Sequence, residues 1–230
     1  MNSSSRRKTR RGVIGIESAI VMIAFVIVAA ALAFVVLNMG FSTTQKAKKA
    51  ISSSITEASS SLEIAGKVTG IGYVSVGKLN ATIIPIKVAG GGDSVNLDPA
   101  TTTIKYYSNS VRYDNIYNNN NCVLTSTTYN NATTALEAAK TATCIDQNPA
   151  GSSATAPTNT RAIVYWDVSN TPQNKILDQG EHAEVAIAYD AADRPSALDN
   201  VKAEIIVPTG SALTVERMVP SVTTSVVDLG

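Results

Sequence analysis

The chain has 230 residues, a formal net charge of +1, and 44% hydrophobic but only 5% aromatic residues. The balance hides a segregation: Arg6, Arg7, Lys8, Arg10 and Arg11 all precede Val13, so the rest of the chain carries 14 basic against 18 acidic residues. It has no basic patch of the kind that follows a phosphate backbone, which argues against a nucleic-acid partner. The N-terminal positives instead mark a flank that stays cytoplasmic, with the chain beyond the apolar run lying outside the cell.

Residues 1–12 form a basic, Ser-rich leader ending in Arg10-Arg11-Gly12. An apolar run extends from Val13 to Leu37, in which Glu17 is the one charge. A secretory signal peptide places its small-residue cleavage site after the apolar core. Here the glycine comes before it, so a cut at Gly12 leaves the apolar helix on the mature protein. Ile20 to Leu37 carries no charged or strongly polar residue, and this is just long enough to span hydrocarbon, for which roughly 20 residues are typical.

Residues 40–66 change character. Ala47, Ile51, Ile55, Ala58, Leu62 and Ala65 recur at steps of three or four, the narrow apolar stripe of a helix with one partner face. Joined to the apolar run, this predicts one helix over 13–66, roughly 80 Å long at 1.5 Å per residue. A helix of that length cannot belong inside the remaining domain; it must bind something outside it.

From Lys67 onward the apolar period is two. Val74–Leu79, Ile84–Val88, Thr103–Tyr107, Ala162–Val168, Glu184–Tyr189, Val201–Val207 and Ala212–Val219 read as strands. Gly90-Gly91-Gly92-Asp93 and Asp178-Gln179-Gly180 read as turns. Residues 118–160, rich in Asn, Thr, Ser and Ala, read as a long surface excursion with a short helix near Thr133 to Thr141. The predicted class is α+β: a long N-terminal hydrophobic helix followed by an antiparallel, Ig-like β-sandwich over 67–230.

Side chains for catalysis are sparse. The single histidine, His182, falls at a predicted strand start, and neither a serine triad, a zinc signature nor a phosphate loop is present. Asp190, Asp193 and Asp199 do not match the EF-hand spacing and read as a solvated acidic loop. No enzyme activity, cofactor or metal is expected. Cys122 and Cys144 are the only cysteines. They either form a disulfide, adding about 3 kcal/mol through loop closure, or remain two separate buried thiols. Asn80-Ala81-Thr82 and Asn131-Ala132-Thr133 fit the N-glycosylation pattern, with Asn131 the stronger candidate; Asn2 fits too but lies in the leader. Glu17 becomes the fifth residue after a cut at Gly12. Either it pairs with the new α-amino group, in its own or a neighbouring subunit, or it sits at the headgroup level near the helix end.

Arg10-Arg11-Gly12, Gly15-Ile16-Glu17 and Ala24-Phe25-Val26-Ile27-Val28-Ala29-Ala30-Ala31 resemble the N-terminus of archaeal flagellins (archaellins), in the type IV pilin-like superfamily with class III signal peptides. Gly70-Ile71-Gly72 through Val95-Asn96-Leu97 also resembles the start of the archaellin outer domain. The resemblance implies cleavage between Gly12 and Val13 by a prepilin-type membrane peptidase that recognises Arg10, Arg11 and Gly12. It further implies extraction from the membrane by an assembly platform and packing into a homopolymeric helical filament outside the cell that drives swimming. Glu17 would register each subunit. An adhesive archaeal pilus subunit is the alternative within the superfamily, and a membrane-tethered binding domain the alternative outside it.

Overall fold

The computed structural model describes residues 11–59, 62–150, 155–170 and 174–230. Arg10 and Asn2 lie outside them. The chain divides into two units, Met1–Ser53 and Ser54–Gly230.

Helix α1 runs from Arg11 to Ser59, 49 residues, about 74 Å at 1.5 Å per residue. It is apolar all round over its first half, the pattern of a membrane span or a fully buried helix. Thr43 and Thr44 donate their hydroxyls back to the Met39 and Gly40 carbonyls at 2.8 Å, so they satisfy themselves within the helix. The helix stops short of the predicted Gly66. Ser52–Ser54 and Ser59–Ser61 weaken it, because serine competes for backbone hydrogen bonds. Leu62–Ile64 then form a strand instead. The spacing of Leu62 and Ala65 imitates a helix, but pairing of Leu62 with Val88 and Ile64 with Ile86 decides the matter.

The strands are β1 (Leu62–Ile64), β2 (Thr69–Tyr73), β3 (Lys78–Val88), β4 (Val95–Asn96), β5 (Thr103–Tyr107), β6 (Arg112–Tyr113), β7 (Val123–Leu124), β8 (Arg161–Val168), β9 (Ile176–Leu177), β10 (His182–Ala188), β11 (Asn200–Ile206), β12 (Leu213–Met218) and β13 (Val226–Asp228). The larger sheet has the order β13-β2-β3-β10-β8-β7, with β1 also on β3; a second has the order β12-β11-β5-β6, and β4 pairs with β9. Every pairing is antiparallel except β7 with β8. Val74–Val76, predicted as strand, are instead the turn between β2 and β3.

Strand β11 alternates buried and half-buried residues along its length, as a sheet with one wet face requires. Strands β3, β8 and β10 carry runs buried on both faces. The segment read as a surface excursion explains this. Within it, helix α2 (Ala132–Thr141) buries Ala135, Leu136 and Ala139, and Cys122, Val123, Leu124, Cys144 and Ile145 are buried as well. Tyr129 donates its N–H to the Trp166 carbonyl at 2.8 Å and meets the Tyr165 ring edge-on, 6.0 Å between centroids. The excursion is therefore a cover for the larger sheet. Its polar composition conceals this because a few small apolar residues, closed by the Cys122–Cys144 disulfide, do the covering.

The two principal sheets share one core. Ile116 donates its N–H to Ile104 and accepts from Ala162, both at 2.9 Å. Tyr106 of β5 packs on Tyr189, 5.3 Å between ring centroids, and burial pushes the Tyr106 phenol up to about 12.

Candidate functional site

Enzymes place nucleophiles, bases and charge stabilisers around a concave site. A cleft of ≈ 470 Å³ beside the disulfide is lined by polar residues that include Asn119, Lys140, Thr143, Asp146, Asn159 and Arg161, with neither histidine nor serine. His182 begins β10 and is half-buried.

The carboxylates of the three acidic residues in the predicted loop each have their own hydrogen-bond partners. Asp190 accepts from the Ala192 N–H at 2.9 Å. Asp199 accepts from the Ser196 N–H and hydroxyl at 2.7 and 2.8 Å. Asp193 is buried rather than solvated, accepting from the Tyr113 hydroxyl at 2.8 Å and the Thr160 hydroxyl at 2.6 Å. Among the described residues, no three His, Cys, Asp or Glu side chains gather closely enough to hold a metal.

The two glycosylation candidates separate. Asn80 lies in β3, only 2% exposed, and its Nδ2 donates to the Pro149 carbonyl at 2.8 Å. That nitrogen is the atom a glycan would occupy, and in the folded domain it is engaged within the chain. Strand alternation carries a warning of this, since Asn80 sits in a run buried on both faces. Asn131 is exposed at the N-cap of α2. Its Oδ1 accepts from the Thr134 N–H at 3.1 Å, a capping bond that leaves Nδ2 outside the cap.

The surface that calls for a partner is α1. Every large apolar side chain from Ile16 to Phe41 is between 52% and 74% exposed within the chain. Residues 15–52 include a window of mean hydropathy 3.3, none of it buried. Burying one such side chain stabilises by about 1.5–3 kcal/mol, so a helix bare on all sides is unsustainable in water. Lipid or other copies must cover it. Glu17 is exposed on this helix, four residues after Val13 and therefore on the same face. Gly12 and Val13 are helical in backbone; Arg11 precedes them.

Fold and surface together define a class: a two-part structural subunit in which a long apolar helix awaits cover and a disulfide-closed β-sandwich is complete in itself. The archaeal-type flagellin family model matches residues 12–217. A relative named probable flagellin 1, from Aeropyrum pernix, is 36% identical over 214 residues, spanning 93% of this chain and 94% of its own length. Flagellin FlaB2 of Saccharolobus shibatae is 36% identical over 116 residues, 49% of this chain and 38% of that one. In fold, the chain is similar to the solved archaeal flagellum of Methanospirillum hungatei strain JF1, with TM-score 0.59 and 23% identity over 94% of this chain and 99% of that one. It is also similar to flagellin FlaB1 of Methanocaldococcus jannaschii, with TM-score 0.53 and 15% identity over 74% and 96%. The chain belongs to the archaeal-type flagellin family.

Proposed function

We propose that this flagellin is the structural subunit of an archaellum filament, polymerising through α1 and driving swimming. The observation that carries the proposal is a helix whose large apolar side chains from Ile16 to Phe41 are all uncovered, in a chain matched to the flagellin family from residue 12 to residue 217. Inside lipid, helices gain nothing hydrophobic by associating, since lipid is as apolar as leucine. Once withdrawn into water, the same surface drives association with its copies, and head-to-tail contacts that fail to close produce an open helical polymer.

In this account residues 1–12 are the class III signal peptide, 13–66 the filament-core segment and 67–230 the outer domain. Arg10, Arg11 and Gly12 are recognised by a prepilin-type peptidase that cuts before Val13. The precursor waits in the cytoplasmic membrane until an assembly platform extracts it. Glu17 pairs with the new N-terminal ammonium and registers the subunit, Asn131 carries a glycan on the outside, and the protein performs no catalysis. The adhesive-pilus alternative is not favoured, because the flagellin match extends beyond the shared helix through nearly the whole β-domain.

N-terminal sequencing of the assembled protein tests the processing step: the expected start is Val13, and a start at Met1 or beyond Leu37 removes the filament account. Deleting the protein separates the two filament types. Loss of swimming with attachment intact is expected; loss of attachment with swimming intact would favour the pilus.

A further inference from the structure

Leu198 combines two unfavourable features. Its φ is +69°, a region that leucine enters only against steric resistance. Its side chain is also 75% exposed, so nothing within the domain is gained by placing leucine there.

The turn itself is well held. The Asp199 N–H donates to the Ser196 carbonyl at 3.1 Å, closing a four-residue turn with Leu198 third, and Leu198 N–H donates to Val219 at 2.7 Å. Ser196 donates twice to the Asp199 carboxylate. The third position of such a turn with positive φ is where glycine or asparagine is ordinarily found. None of these bonds uses the leucine side chain. Among the described residues, Thr143 is the other non-glycine residue at positive φ. It lies just past α2 and its cap Ala142, where Thr143 N–H and Cys144 N–H close the helix end on Lys140 and Ala139, and the next residue is tied by the disulfide. The Leu198 backbone likewise closes its turn, but glycine or asparagine would close it at less cost, and the exposed leucine side chain has no part in it.

Other exposed apolar side chains lie on segments tied to this loop by backbone hydrogen bonds. Met218, paired with Asn200 across β11 and β12, is exposed. So are Val74 and Val76, whose turn is fastened to the same loop by the Lys78–Ser196 bridge and the Leu79 N–H to Pro195 bond at 2.9 Å. The patch lies at the Lys78 end of β3. The chain joins the domain at the other end, where Leu62 pairs with Val88, roughly 33 Å away at 3.3 Å per residue. Near that opposite end Val168 is exposed, level with His182 and Lys87 in the sheet.

We propose that the Leu198 end of the domain is an interface for the β-domain of a second copy of this chain, with Leu198 as its central side chain. The inference rests on the filament reading: in a homopolymer built on α1, each β-domain is flanked by identical domains at fixed spacing. The patch and the Val168 region lie at opposite ends of the same domain. A contact between them is heterologous and open, the kind that propagates along a polymer instead of closing a dimer. Strain that exposes an apolar side chain in the free subunit is offset when that side chain is buried in the assembly.

The test compares filaments sheared from cells carrying wild-type protein, Leu198→Gly or Leu198→Asn, both replacements suited to the turn. Two quantities are read: subunit released to the supernatant on mild heating, and the unfolding temperature of the released subunit. The expected result is roughly tenfold more released subunit for either variant, with unfolding temperature unchanged or higher. Met218→Lys, which leaves the turn intact, should release subunit in the same way. Variant filaments as resistant as wild type would overturn this contact alone, as would a parallel fall in unfolding temperature for all three variants. Wild-type protein recovered only as monomer would overturn the filament reading and this contact with it.

Discussion

Helix α1 and the β-domain solve the burial problem in opposite ways. The domain encloses its apolar residues within one chain: Trp166, Tyr165 and Ile163 on β8 are all essentially inaccessible to solvent. The helix encloses nothing, leaving Phe25, Phe34 and Leu37 more than half exposed. The core of one region is finished within the chain; the apolar surface of the other is left bare. Their difference shows that a single flagellin chain keeps the residues that stabilise the domain apart from those that await a partner, so damage to the domain core should spare the helix surface, and the reverse.

The largest expected effect comes from Gly12→Val. The proposed processing step requires a residue with almost no side chain before the scissile bond, so on that proposal cells should accumulate full-length precursor and no filaments, as seen by immunoblot and electron microscopy. Wild-type filaments in that mutant would break the two-state account of the helix. The reciprocal change is Trp166→Ala, which should cost the domain about 3–5 kcal/mol, read by denaturant unfolding of the released subunit. Phe25→Ala should leave that unfolding curve in place while lowering the temperature at which filaments dissociate. Equal loss of domain stability from both substitutions would erase the distinction between the regions.

Reduction of the Cys122–Cys144 bond should destabilise the domain by about 3 kcal/mol through loop closure, checked by the unfolding midpoint with and without reductant. The smallest effect concerns Glu184, which accepts a hydrogen bond from the Tyr165 hydroxyl. Burial raises its carboxyl from the ordinary 4.5, despite that hydrogen bond. Below 4.5 both folded and unfolded chains hold the proton. As pH rises through the window between 4.5 and the raised folded value, only the native state keeps it, so stability falls and stays lower above the window. Glu184→Gln should flatten that slope and leave the domain more stable at neutral pH; an unchanged slope would show that Glu184 is not its source.

The helix is legible in the sequence because an apolar run has no competing explanation over such a length. Its end is not, since the stripe through Leu62 depends on spacing while the strand at Leu62–Ile64 depends on distant Val88 and Ile86. Strands such as Thr103–Tyr107 and the helix near Thr133 keep their local periodicity and can be read from it. The cover formed within 118–150 stays hidden because it packs through a few alanines, isolated apolar residues such as Leu124, Leu136 and Ile145, and a disulfide. The burial of Asn80 is hidden for a related reason: the glycosylation triplet is local, whereas the placement of β3 between β2 and β10 is not. Leu198 gives no signal at all, as positive φ at a leucine has no pattern in composition or spacing.

The most direct test of the central claim is an electron cryo-microscopy reconstruction of filaments sheared from cells. The account predicts an axial core built of α1 helices, with Ile16 to Phe41 covered by neighbouring copies and the β-domains forming the outer layer. A reconstruction with β-domains at the axis, or with α1 facing solvent, would contradict it.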